Sequence, residues 1–201
     1  MKTGAIIICG GLSRRMGEPK ASLRFGPERL LERIVRLVGQ SSEPIVVVAA
    51  PGQPLPDLPH HVKIARDALG GRGPLQALHA GLVAIGDDVP LAYATSTDAP
   101  FLAPGWIDRL ANLLGEADLG LPVIGAMSYP LAALYRRSTS LTAIRSLLDR
   151  DILRLKSLIP LLRVREVGAD DLRDLDPNFA SLVNLNTPED YRQALAQAGF
   201  L

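Results

Sequence analysis

The sequence predicts an α/β fold, and three observations predict it. Apolar runs of strand length recur at residues 4–9, 45–50 and 90–96. Segments with apolar residues at three-and-four spacing stand between them, the period of a helix with one buried stripe. Glycine-rich or proline-rich connections separate the two kinds. A strand that is apolar throughout is covered on both faces, which requires helices on both sides of a sheet. The chain of 201 residues, 47% apolar, is read as one domain over 1–201, because single cores hold up to about 250 residues.

The first run, 4–9, ends in Gly10-Gly11, and Arg14, Arg15 and Lys20 follow within nine residues of Gly11. Adjacent glycines at a strand end let backbone N–H groups approach an anion, since no Cβ intervenes. With three cations on the same loop, the stretch is suited to polyphosphate. It is not a Walker A loop, because Ala21 follows Lys20 where a hydroxyl is required. It is not a Rossmann fingerprint, because Gly10-Gly11-Leu12 lacks the G-x-G spacing.

After a weakly alternating stretch at 21–25, Pro27-Glu28 opens a helical pattern carried by Leu30, Leu31, Ile34, Val35 and Val38. The 45–50 run is a core strand, and four prolines within 51–61 make that stretch a loop. A short strand is expected at 62–65. The glycine-rich 70–75 then opens a helix, with Pro74 in its first turn; a loop that closes over a ligand and an ordinary strand-to-helix turn fit equally well. The strand at 90–96 delivers Thr97-Asp98-Ala99-Pro100 at its carboxyl end, where ligands bind in open α/β sheets. Asp98 is therefore a candidate metal ligand.

A helix from Pro104, a strand at 118–123, a strand from Tyr129 to Tyr135, a helix at 138–148 and a strand at 164–167 complete the alternation. Between the last two, an amphipathic segment at 150–162 carries Arg150, Arg154 and Lys156, which fit either a second anionic ligand or a solvated face. Thr187-Pro188-Glu189-Asp190 starts a final helix. Asn184 and Asn186, two apart on an expected strand, face the same side and fit either a ligand or a loop-fixing role.

Formal net charge is +1, so the basic loop is a local device and nucleic acid is not an expected partner. Cys9 is the only cysteine and is expected to pack rather than react. No apolar run approaches the length of a membrane span and no secretory leader pattern stands at the start, so a cytoplasmic protein with no membrane contact is expected.

Five stretches together resemble the molybdenum cofactor guanylyltransferases, the MobA-type nucleotidyltransferases. They are ICGGLSRRMGEPK at 8–20, DALGGRGPL at 67–75, TDAPFL at 97–102, YPLAALY at 129–135 and NLNTPEDY at 184–191. The first carries the pattern G-G-x-x-x-R-M-G-x-x-K through Gly10, Gly11, Arg15, Met16, Gly17 and Lys20. The resemblance implies a Rossmann-like three-layer sandwich with a mostly parallel central sheet, as in nucleotide-diphospho-sugar transferases. It implies transfer of GMP from GTP to molybdopterin with Mg²⁺ as cofactor, and a molybdoenzyme or its chaperone as a further partner.

By the same resemblance the nucleotide lies on Ile8, Cys9, Gly10, Gly11, Lys20, Asp67, Gly73 and Asp98. Arg15, Lys20 and Asp98 are the catalytic residues, Asp98 also holding the metal, and Tyr129, Arg154, Asn184 and Asn186 serve the acceptor. Three positions depart from the family pattern. Ala49 stands where an asparagine is common, so a base or ribose contact is lost or replaced; Tyr129 replaces a histidine and bears on the acceptor; Cys9 replaces an alanine. Cytidylyl or sugar-phosphate nucleotidyl transfer on the same scaffold is an alternative, as is a non-catalytic nucleotide-binding adaptor. Intact Arg15, Lys20 and Asp98 favour catalysis, and the second glycine leans toward guanine.

Overall fold

The structure, a computed structural model, describes residues 2–9, 19–67 and 73–201. Strand β1 (Thr3–Ile8) is followed by a 3₁₀ turn at Lys20–Ser22 and a small hairpin of β2 (Arg24–Phe25) and β3 (Glu28–Arg29). Helix α1 (Leu30–Val38), β4 (Ile45–Ala49), β5 (Lys63–Arg66), α2 (Pro74–Ala84), β6 (Leu91–Ser96) and α3 (Trp106–Leu114) then alternate. Next come β7 (Leu119–Ile124), β8 (Met127–Ser128), β9 (Ala132–Arg136), α4 (Arg137–Leu148), β10 (Val164–Val167), α5 (Ala169–Leu172) and α6 (Pro188–Gln197).

One sheet runs in the order β10-β7-β9-β6-β1-β4-β5, with β8 paired to β7. Its centre is parallel: β1 pairs with β4 on one side and β6 on the other, and β4 pairs with β5. The mostly parallel expectation holds there. Strand β9 runs antiparallel to both β6 and β7, and the outer pair β7–β10 is parallel again.

The apolar runs are explained by the two cores. On β1, Ala5 and Ile7 enter one core while Ile6 and Ile8 enter the other. On β4, Ile45, Val47 and Ala49 alternate in the same way with Val46 and Val48. The first core is closed by α1 and α3, the second by α2 and α4, giving three layers. Among the described residues, no helix is long and apolar enough to cross a membrane.

Three expectations are corrected. Glu28 belongs to β3 and α1 begins at Leu30, where the Glu32 carboxylate accepts the Arg29 N–H at 2.7 Å and fixes the first turn. Tyr129-Pro130 precedes β9, which starts at Ala132. Asn184 and Asn186 are not on a strand: residues 183–186 lie outside regular structure, with Leu185 buried and both asparagines exposed. The final helix is as expected, Thr187 Oγ1 accepting from the Asp190 N–H at 3.1 Å while Asp190 Oδ2 accepts from the Thr187 N–H at 2.8 Å.

Two features of this architecture give direct tests. Gly81, in the middle of α2, packs where a Cβ would lie 2.4 Å from Ile6 Cγ2. Gly81→Ala gains about 1 kcal/mol of helix propensity but overfills the core at a cost of about 3 kcal/mol. A net fall in melting temperature of about 4–8 °C is expected for a domain of this size, measured by calorimetry.

Asp118, buried just before β7, accepts from Arg163 Nε at 2.9 Å, Arg163 Nη2 at 3.0 Å and the Arg163 N–H at 3.1 Å, tying the starts of β7 and β10. Its hydrogen bonds from the Arg163 side chain hold the carboxyl below its ordinary 3.8, at about 2. A lowered folded-state value contributes stability that is complete above the ordinary value and is lost as pH falls through the folded one. Asp118→Asn is therefore expected to unfold at lower urea than the parent at neutral pH, with the gap constant down to about pH 4 and shrinking toward pH 2.

Candidate active site

Parallel pairing brings the carboxyl ends of β1, β4, β5 and β6 to one edge of the sheet. Ile8 stands opposite both Val48 and Ser96, and Ala49 opposite Arg66. Backbone bonds continue the ladder one step beyond: Cys9 N–H to Val48 O at 2.8 Å, Asp67 N–H to Ala49 O at 3.0 Å and Thr97 N–H to Ile8 O at 3.2 Å. Ile8, Cys9, Asp67 and Asp98 therefore emerge together. Gly10, Gly11 and Arg15 lie outside the described residues.

Lys20 returns to this edge from the far side of the loop, its Nζ donating to Asp98 Oδ2 at 2.7 Å across 78 residues of sequence. Both side chains are less than a fifth exposed, so the pair is screened less than a surface pair. The other carboxylate oxygen, Oδ1, accepts from Ser96 Oγ at 2.5 Å. The carbonyl of Asp98 accepts the Leu185 N–H at 2.9 Å, which fastens the 184–186 segment beside it.

The strand end at Cys9 is held by a residue that sequence reasoning did not single out. Gln53 Nε2 donates to the Cys9 carbonyl at 3.0 Å, and Gln53 Oε1 accepts from the Ala50 N–H at 3.0 Å. Arg66 Nη1 donates to the Ala50 and Gln53 carbonyls at 3.0 and 2.9 Å, completing a latch between the ends of β1, β4 and β5. Gln53 lies in the proline-rich loop, 44 residues from Cys9, and no local pattern marks it. Ser96 was also missed, because it is a turn after β6, closed by the Ala99 N–H on the Ser96 carbonyl at 3.4 Å, that brings its side chain to Asp98. Cys9 is buried, and burial pushes its thiol up to about 11, so at neutral pH it is a packing residue and not a nucleophile, as expected.

A cavity of about 520 Å³ opens at Asn184, the residue before the Leu185 that bonds to Asp98. Tyr129, Arg154 and Asn184, three of the expected acceptor residues, share its lining, together with Pro74 and Lys156. The fourth, Asn186, is not part of this lining; its N–H donates to Asp190 Oδ2 at 2.9 Å, a loop-fixing contact. Arg154 and Lys156 are both exposed, on either side of the buried Leu155. Gly73 immediately precedes Pro74 of the lining at the start of α2, where its φ of +92° is open to glycine and strained for other residues. A Cβ there would have 3.5 Å to the Leu153 carbonyl, so backbone conformation rather than space requires the glycine.

For a metal, no cluster of three or more His, Cys, Asp or Glu side chains exists among the described residues. Asp98 offers one carboxylate in an oxygen-rich setting with the Ser96 hydroxyl. That fits Mg²⁺, which keeps waters and takes one or two carboxylates plus substrate phosphates rather than a full protein cage. It does not fit a structural zinc site.

Comparison with known proteins agrees with this fold. Residues 5–164 match the family model of the MobA-like NTP transferase domain. A probable molybdenum cofactor guanylyltransferase of Mycobacterium avium is 38% identical over 203 aligned positions, covering 98% of this chain and 97% of its own. The crystal structure of molybdopterin-guanine dinucleotide biosynthesis protein A from Archaeoglobus fulgidus superposes with a TM-score of 0.79 over the full length of both chains at 21% identity. The fold is also that of the 2-C-methyl-D-erythritol 4-phosphate cytidylyltransferase of Thermus thermophilus, with a TM-score of 0.74 at 16% identity over 99% of this chain and all of that one. With the Lys20–Asp98 pair set at the strand ends of that fold and the family model spanning most of its length, the chain belongs to the MobA-like NTP transferase family.

Proposed function

We propose that this protein transfers GMP from GTP to the phosphate of molybdopterin, forming molybdopterin guanine dinucleotide and releasing pyrophosphate. The observation that carries the reading is the adjacency of two sites. The Lys20–Asp98 pair stands at the strand ends, and the cavity bearing Tyr129, Arg154 and Asn184 begins at the residue next to Leu185, which is bonded to Asp98. One site suits a triphosphate and the other a separate anionic acceptor.

The chemistry asks for no protein nucleophile, because the acceptor phosphate oxygen attacks the α-phosphorus as pyrophosphate leaves. Catalysis is then positioning and charge neutralisation. Lys20, with Arg15, neutralises the β- and γ-phosphates. Gly10 and Gly11 are assigned to the phosphates, and Ile8 and Cys9 supply the rigid end of β1. Asp67 and Gly73 contact the guanosine side. Asp98 would hold Mg²⁺, which would supply Lewis-acid neutralisation of phosphate charge. Arg154 attracts the acceptor phosphate, while Tyr129 and Asn184 line its seat and Asn186 steadies the loop that carries Asn184. On this reading the protein acts in the cytoplasm, and a molybdoenzyme or its chaperone receives the product.

The decisive experiment incubates the protein with each of the four nucleoside triphosphates, Mg²⁺ and molybdopterin, and identifies any dinucleotide by mass. A guanine dinucleotide is expected; a cytosine dinucleotide alone, or GTP binding without turnover, would replace this reading. Lys20→Ala and Asp98→Ala are each expected to lower GTP-dependent pyrophosphate release by about 10²-fold or more while melting close to the parent. Near-parental turnover in either variant removes the role assigned to that residue.

A further inference from the structure

The carboxylate of Asp98 is engaged at both oxygens, and its two partners differ in kind. Lys20 is a long, flexible cation entering from the loop after β1. Ser96 is a short side chain at the last position of β6, where its backbone is in register with Ile8 in the middle of the sheet. We infer that Ser96 is a positioning residue of the transfer site: it fixes the plane of the Asp98 carboxylate so that Oδ2 is presented correctly when a divalent cation takes it. The inference rests on the reading of Asp98 as the metal ligand.

The argument is one of torsions and competition. The χ2 angle of aspartate is a soft, broad torsion, so an unrestrained carboxylate samples many orientations. Lys20 restrains it only while the ammonium has no better partner. A triphosphate brings several negative charges to the same edge and draws the ammonium toward them, loosening the Oδ2 contact. Ser96 has no such competing duty. Its hydroxyl has a single proton, directed at Oδ1 at 2.5 Å, and it sits on a strand paired on both sides, so the restraint persists. The main chain of Asp98 is separately pinned through its carbonyl by Leu185 N–H, which leaves side-chain rotation as the freedom Ser96 removes. Groups that orient a metal ligand through a hydrogen bond are worth about 10–100-fold in metal affinity.

The test uses Mn²⁺ as a spectroscopic probe, titrated by electron paramagnetic resonance into the full-length protein saturated with GTP, without acceptor. Ser96→Ala is expected to weaken Mn²⁺ binding by about 10-fold, leave metal-free GTP affinity unchanged and keep the parental melting temperature. Ser96→Thr, which restores the hydroxyl, is expected to return Mn²⁺ affinity to within about twofold of the parent. Parental Mn²⁺ affinity in Ser96→Ala overturns the inference, as does an equal loss of metal-free GTP binding, which would mark a merely structural role. Asp98→Asn separates the two levels of failure. If it abolishes Mn²⁺ binding while Ser96→Ala does not, the role of Ser96 alone falls; if it leaves Mn²⁺ binding intact, the metal-ligand reading falls and takes the inference with it.

Discussion

The parallel pairing of β1 with β4 and β6 is the constraint on which the rest of the molecule depends. Because the three strands share a direction and their registers place Val48, Ile8 and Ser96 in one row, every chain segment that follows a strand starts from the same edge. The strands are apolar on both faces, so a slip of one residue would exchange the two cores and is strongly disfavoured. The position of Asp98 relative to Cys9 is therefore as well defined as the sheet itself. Loops alone could not hold two charges from residues 20 and 98 in contact with that consistency.

A second, smaller cluster decides what meets Asp98 at that edge. Leu23, Phe25 and Leu30, from the segment after the glycine loop, pack with Leu185 and Ala194 and against Phe101, Tyr191 and Leu195. The Tyr191 hydroxyl donates to the Arg24 carbonyl, and Phe25 meets Phe101 and Phe200 edge to face at 5.9 and 5.6 Å. This cluster gathers the segment carrying Lys20, the segment carrying Asp98 and the segment carrying Asn184 and Asn186 around one apolar hub. The polar contacts of the site, Lys20 to Asp98 and Leu185 to Asp98, lie at its border. Hydrophobic burial here sets the address at which electrostatics then acts.

The site is sparing in chemistry. Its cysteine is buried with a raised thiol value, its described residues contain no cluster of metal-ligating side chains, and among them the Asp98 carboxylate and the Lys20 ammonium are held together. Such an arrangement suits phosphoryl chemistry, in which substrate supplies the nucleophile and leaving group and protein supplies orientation and compensating charge. Gln53 and Arg66 extend the same logic to the backbone, holding the Cys9 and Ala50 peptides in place with one side chain from the proline-rich loop and one from the end of β5. Ala49 has only a methyl group to offer there. The carboxamide nearest the strand end thus comes from a turn and binds main chain.

The sequence by itself determined the core strands β1, β4 and β6 and most of the helices, and it marked the loop after β1 and Asp98 as candidates, because those signals are local: continuous apolar runs, a three-and-four period, a glycine pair and a strand-terminal acid. The Thr187 cap was legible for the same reason, its partners lying three residues away. The tertiary structure alone decided the antiparallel insertion of β9, the gathering of Tyr129, Arg154 and Asn184 around one cavity, and the contact of Ser96 and Lys20 with the two oxygens of Asp98. It also removed the strand expected at 184–186, where alternating asparagines imitate a sheet pattern while the backbone bonds to Asp98 and Asp190 instead. The physical reason is the range of the interaction. Periodicity and propensity act over a few residues, whereas an ion pair across 78 residues exists only once packing has brought its two strand ends to one edge.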